Sequence, residues 1–207
     1  MLKIVKEVND RLNLENELIA DDIIIMYTTC AFETAWNKNS KSPWCTPFTV
    51  DDLKVIEYSE DLKYYWQDGY GHELSYKQAC PAFGDMISFL ESKDSFPKTN
   101  VYFTHSGTLL KILAHLGLYK EDQHLTAKNY DKMKSRKWRT SVIDSFATNL
   151  AFVLFNCGGE KKVLTMHQEN VVRLPSCPDY DLCEIKKITN HYSHSIKSCD
   201  FNSLCSV

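Results

Sequence analysis

Apolar side chains recur along the first half of the chain at the spacing of α-helices. Ile19, Ile23, Met26, Tyr27, Cys30 and Thr34 fall on one face of a helix with 3.6 residues per turn. The loop KNSKSPWCTPF follows, punctuated by Pro43 and Pro47. Thr49-Val-Asp-Asp52 then reads as a capping-box variant. It opens a helix through Leu53, Ile56, Leu62 and Tyr65 that stops near Gly69-Tyr-Gly71. A further short helix fits PAFGDMISFLES.

The pattern then changes. Val101-Tyr-Phe-Thr104 has the composition and length of a strand and runs straight into His105-Ser-Gly-Thr108. Thr108 to Leu116 reads as helix, with Gly117 as its C-terminal stop. A loop-rich basic stretch leads to a buried strand expected over Asn149–Phe155. Lys162–Met166 and Asn170–Leu174 read as a hairpin around a polar turn, and Asp181 to about Ile196 as one more helix. There is no internal repeat and no low-complexity tract. Helices followed by mixed strands and helices predict part of an α/β layer that carries a helical section. The expected division is a mostly helical part over 1–95 and an α/β part over 96–207, within one domain.

Composition narrows the classes. At 207 residues, with 43% hydrophobic and 25% charged positions, the chain can bury a core. A net charge of −3 and a pI near 6.2 exclude a general attraction to nucleic acid or to acidic membranes. No apolar run is long enough to cross a bilayer.

The eight cysteines are Cys30, Cys45, Cys80, Cys157, Cys177, Cys183, Cys199 and Cys205. No CxxC pair and no zinc-like spacing occurs among them. Their even number favours disulfides and an oxidising compartment. The first residues, MLKIVKEVNDRLN, are nevertheless unlike a signal peptide, because Lys3, Lys6, Glu7, Asp10 and Arg11 interrupt any apolar run. No N-x-Ser/Thr sequon is present. A chain lacking its true N-terminus reconciles these observations.

His105 is the first candidate for chemistry. It stands between an expected strand and an expected helix, and ligands of open α/β sheets bind beyond the carboxyl ends of strands. A helix N-terminus offers free N–H groups and partial positive charge to a phosphate, and a histidine there adds a hydrogen-bond donor. The plainer alternative is a histidine satisfied at a strand end. Lys132, Lys134, Arg136, Lys137 and Arg139 form a basic stretch, read either as an attractor of anions or as a solvated surface. Trp36, Trp44, Trp66 and Trp138 are expected to pack core or loop edges, and His115 to be structural. His191 and His194 match no carboxylate pattern, so no metal is assigned to them.

Several ordered segments carry a resemblance. TTCAFETAW…SPWCTPFTVDDLKVIEYSEDLKYYWQDGYG resembles the central signature of the histidine acid phosphatases (clade 2). YFTHSGTLLKILAHLGLY resembles the segment with that family's second catalytic motif, and KVLTMHQENVVRLPSCPDYDLC its closing hairpin and disulfide loop. LTAKNYDKMKSRKWRTSVIDSFATNLAFVLFNC is most similar to the multiple inositol polyphosphate phosphatases. The resemblance runs along essentially the whole chain and corresponds to the C-terminal half of such an enzyme. It implies part of a phosphoglycerate mutase-like fold, no cofactor, and a place in the secretory pathway. It also implies phosphomonoester hydrolysis of inositol polyphosphates such as phytate, extending to 2,3-bisphosphoglycerate.

The family uses an N-terminal RHGxRxP motif for its nucleophilic histidine and phosphate-binding arginines. A later HD or HAE motif supplies a second phosphate-binding histidine and a general acid. The nucleophile takes the phosphoryl group, cations hold its charge, and the acid protonates the leaving alkoxide. This chain departs twice. RHGxRxP is absent, so no residue here is a nucleophile. His105 matches the second histidine as a phosphate ligand, but Ser106 and Gly107 stand where the acid is expected. The nearest acidic residues downstream are Glu121 and Asp122.

The resemblance also implies disulfides Cys30–Cys45 and Cys177–Cys183, and leaves Cys157 without its family partner. The expectation is a chain inactive by itself that awaits an N-terminal half to complete its fold. A non-catalytic phosphate binder or scaffold, and a fragment unstable alone, remain as alternatives.

Overall fold

A computed structural model describes residues 1–37, 39–92 and 97–200. Cys205 lies outside the described residues. The chain forms two compact units, residues 1–60 and 61–207, with the division inside one helix.

The first unit is helical. Helix α1 (Leu2–Leu12) ends where Asn13 turns left-handed at φ 54°. Helix α2 (Ala20–Trp36) buries Ile23, Met26 and Cys30, three of the positions expected on its inner face, while Ile19 and Thr34 remain exposed. Helix α3 (Val50–Gln67) starts at the expected capping box, in which Asp52 N–H donates to Thr49 Oγ1 at 3.2 Å and Thr49 N–H to Asp52 Oδ2 at 2.8 Å. Ile4, Val8, Ile23, Met26 and Ile56 make the unit's core. Buried Asn9 ties α1 to the next loop, donating to Leu18 O and accepting from Leu18 N–H, both at 3.0 Å. A disulfide joins Cys30 to Cys45.

The second unit begins in the last turns of α3. Helix α4 (Glu73–Lys77) and helix α5 (Cys80–Glu91) follow; Pro81 stands in the first turn of α5, where its missing N–H costs nothing. Gly69 and Gly71 follow α3 at places where a side chain would run into a tryptophan: a Cβ would lie 2.6 Å from the Trp138 and Trp66 rings respectively. Helix α6 (Ser106–His115) is stopped by Gly117 at φ +76°, as its sequence predicts. Helix α7 (Thr140–Ile143) is a single turn.

An antiparallel sheet comes next, built on β1 (Leu150–Cys157), β2 (Glu160–His167), β3 (Asn170–Val171) and β4 (Leu182–Glu184). β2 is central, pairing with β1 on one side and with β3 and β4 on the other. Its alternate residues Val163, Thr165 and His167 are buried, the period of two expected of a strand with one face on the core. Gln168 and Glu169, at φ 50° and 59°, form the polar turn of the expected hairpin. Helices α8 (Ile185–His191) and α9 (Ser193–Lys197) complete the described chain. Cys177 is bonded to Cys183, and Cys80 to Cys199.

Three expectations are corrected. Val101–Thr104 is not a strand, since a ladder needs a neighbour and this segment has none among the described residues; Phe103 is 95% exposed. β1 is half-exposed rather than buried, because it lies at the sheet edge and pairs with β2 alone. The tail is not one helix: Leu182–Glu184 pairs with β2 first, and two short helices follow. Among the tryptophans, Trp138 is fully buried and Trp66 donates to Leu125 O at 3.0 Å, whereas Trp36 is 77% exposed.

Candidate phosphate-binding site

His105 is the N-cap residue of α6. Its backbone is extended, and its carbonyl accepts from Thr108 N–H at 3.1 Å and Leu109 N–H at 3.2 Å. The imidazole makes no capping hydrogen bond and is exposed. It therefore stands at the end of a ten-residue helix, where the first N–H groups lack partners within the helix and the dipole is positive. The expected helix N-terminus is present, without the strand expected before it.

The two residues after His105 carry no acid, yet two aspartates from distant segments come to them. The Ser106 hydroxyl donates to Asp144 Oδ2. Asp144 ends α7, which brings it in from 38 residues further along the chain. Beside Gly107 lies Asp68, just beyond α3. A Cβ at Gly107 would meet Asp68 Cγ and both of its carboxylate oxygens at 3.2 Å. Lys111, one turn into α6, holds Asp68 Oδ1 at 3.1 Å. Burial, reinforced by the negative charge of Asp68, pushes the Asp144 carboxyl up to about 6.

Sequence reasoning missed both aspartates. It reached only Glu121 and Asp122, the nearest acids downstream of the motif. Glu121 Oε1 accepts from the backbone N–H groups of Lys137 and of Trp138, the latter at 2.9 Å, and Asp122 is exposed. The one available signal was an Asp in the otherwise apolar and small SVIDSFATNL, which does not reveal a partner 38 residues away.

The basic stretch does not act as a single patch. Arg136 is buried and donates through Nε to Asp61 Oδ2 at 2.6 Å. Asp61 Oδ1 also accepts from Thr140 N–H and Thr140 Oγ1, each at 2.7 Å. Lys132, Lys134 and Lys137 are exposed, and Lys134 pairs with Asp131 at 2.9 Å. His115 is structural: Nδ1 lies 3.2 Å from Tyr76 O, Nε2 lies 3.2 Å from Ser195 Oγ, and burial lowers its pKa. His191 packs edge-on against Tyr192, and His194 Nδ1 lies 3.4 Å from Ser198 Oγ. Cys157 is exposed and bonded to no other cysteine among the described residues.

The chain matches the histidine phosphatase superfamily (branch 2) over residues 2–175. It is 35% identical to multiple inositol polyphosphate phosphatase 1 of Homo sapiens, over all of this chain and 45% of that protein. The namesake from Drosophila melanogaster is also 35% identical, over 90% of this chain and 40% of that protein. The crystal structure of the phytase from D. castellii superposes with a TM-score of 0.84 at 16% identity, covering 99% of this chain and 45% of the phytase, a likeness of fold. The chain thus spans about half the length of the curated relatives it matches. With the family matched over most of its length, and with its helices and antiparallel sheet arranged as in one half of a phytase, the chain belongs to branch 2 of the histidine phosphatase superfamily.

Proposed function

We propose that the chain carries the phosphate-holding histidine of an inositol polyphosphate phosphatase site, and that by itself it binds phosphomonoesters of this class without hydrolysing them. The observation that carries this reading is His105. Its imidazole is exposed and takes no part in capping at the N-terminus of α6, at the position that matches the family's second motif. Relatives 35% identical and named multiple inositol polyphosphate phosphatase 1 support the inositol polyphosphate class. Phytate is the expected ligand of that class, and 2,3-bisphosphoglycerate a smaller phosphomonoester outside it.

Two features support binding without turnover. The 207 residues contain no RHGxRxP, so there is no nucleophile of the family's kind, and no acid stands at Ser106 or Gly107. General-acid assistance alone contributes about 10²–10⁴ in rate where present. A complete site would draw its nucleophile from an N-terminal half. The exposed run Val101, Tyr102 and Phe103 is apolar surface that such a half would cover. Three disulfides among the described residues favour an oxidising, secretory compartment. Phosphate release from phytate and from a chromogenic phosphate ester tests this reading. The purified chain should match its His105→Ala variant, and turnover clearly above that variant would refute it.

A further inference from the structure

We propose that Asp144 is the proton-donating carboxyl of this site: Ser106 holds it and Asp68 flanks it, so that it gives a bound phosphomonoester the donor that positions 106 and 107 do not supply. This rests on the reading of the His105 end of α6 as a phosphomonoester site. Three observations converge on it. The Ser106 hydroxyl is committed to Asp144 Oδ2, which places that carboxyl beside the residue that follows His105. The space in which a side chain at Gly107 would begin is bounded by the Asp68 carboxylate at 3.2 Å, so an acid at 107 would face a like charge there. Asp68 is itself paired with Lys111 at 3.1 Å, whereas no cation is paired with Asp144 among the described residues.

The consequence is a division of labour between two carboxyls. Burial, and after it the negative charge of Asp68, raises the cost of ionising Asp144. Asp144, half-buried, meets that cost by keeping its proton, and its carboxyl accordingly titrates at about 6. Ser106 occupies Oδ2, leaving Oδ1 to carry the proton and donate an O–H···O hydrogen bond. Below that pH the site offers donors from His105 and Asp144; above it, two carboxylates would face an anionic ester. Among the described residues, the charged or titratable groups on the elements around Asp144 include Asp68 beyond α3, Lys111 on α6, His105 at the α6 N-cap, Arg139 at the α7 N-cap and His167 at the end of β2. Lys111 is paired with Asp68, and burial lowers the pKa of His167, so the contributions left to separate are those of His105 and Asp144.

Calorimetric titration of the full 207-residue chain with inositol hexakisphosphate at pH 5 and pH 7.5 makes that separation. The wild-type affinity should fall about tenfold or more between the two, as a carboxyl near 6 loses its proton. Asp144→Asn, whose amide remains a neutral donor, should bind nearly equally at both. His105→Gln should bind more weakly throughout but keep the pH step. A wild-type step retained in Asp144→Asn and lost in His105→Gln would overturn the proposal while leaving the phosphate site standing. No binding by the wild type at either pH would overturn both. Carbon-13 NMR of the aspartate carboxyls reads the same proton without a ligand. The resonance lost in Asp144→Asn should titrate near 6 and move lower in Asp68→Asn, and a midpoint below 4 would overturn the assignment.

Discussion

The side chain of Ser106 reaches the carboxyl of Asp144 across 38 residues of chain and fastens the one-turn helix α7 to the first turn of α6. The residue that replaces an acid in the motif is thereby bonded to an acid from elsewhere. Together with Asp68 beside Gly107, this makes the start of α6 an acidic setting with no acid of its own.

The crowding at Gly107 gives a direct mutational test. Gly107→Ala removes a helix-weakening glycine, worth about 1 kcal/mol, against a 3.2 Å contact that the Asp68 carboxylate can relieve by moving slightly. It should be neutral or mildly stabilising. Gly107→Glu adds a like charge and should destabilise by about 1–3 kcal/mol at neutral pH. Asp68→Asn should recover part of that loss. Urea unfolding of the three variants reads the order.

The buried pair Asp61–Arg136 should be costly to break and cheap to replace. Asp61 is fully buried and receives Arg136 and both donors of Thr140. Asp61→Ala leaves a buried guanidinium unpaired and should cost about 3–5 kcal/mol. The double variant Asp61→Leu with Arg136→Met removes both charges and should cost less than Asp61→Ala alone. A double cost equal to the sum of the Asp61→Leu and Arg136→Met single costs would mean that the charges do not interact.

Stability should respond to pH in opposite senses at two kinds of group. Burial lowers the pKa of His115 and His167, so the unfolded chain binds more protons as pH falls below about 6.5. Their contribution is therefore present near pH 7.5 and is lost on acidification. Asp144 runs the other way. Its folded carboxyl holds a proton up to about 6 against an ordinary value of 3.8, so its contribution is full below 3.8 and is lost as pH rises through 6. His167→Gln should flatten the acid side of the stability profile, and Asp144→Asn should stabilise the chain more at pH 7.5 than at pH 4. Urea midpoints at pH 4, 6 and 7.5 check both signs.

The disulfides should differ in worth according to the loops they close. Cys80–Cys199 spans 119 residues, Cys30–Cys45 spans 15, and Cys177–Cys183 spans 6. Loop-closure entropy predicts about 5 kcal/mol for the first and about 3 kcal/mol for the second, with the third smallest. Paired Cys→Ser variants, unfolded in denaturant, should follow that order. Peptide mapping should recover the three bridges and a thiol at Cys157.

Much of the fold was legible where the signal is local. The Thr49–Asp52 box, the glycines after α3 and α6, and the polar turn between β2 and β3 each lie within a few residues of what they control. Val101–Thr104 was misread because composition reports a preference for strand but not whether a neighbouring strand is there to pair with. Leu182–Glu184 was read as helix for the converse reason: β2, far off in sequence, claims it. The place of His105 before a helix was legible, and the approach of Asp68 and Asp144 to the start of that helix was not. Nothing near either residue in sequence shows that folding brings one to Ser106 and the other to Gly107. The Cys80–Cys199 bridge was unreadable for the same reason, since cysteine counts do not fix connectivity.

The central claim is that the exposed imidazole at the start of α6 holds phosphate. Inositol hexakisphosphate binding at pH 5, measured by calorimetry on the chain and on its His105→Ala variant, tests it most directly. Loss of a charge-assisted hydrogen bond predicts an affinity about tenfold or more weaker in the variant. Equal affinities in the two proteins, or no binding by either, would contradict it.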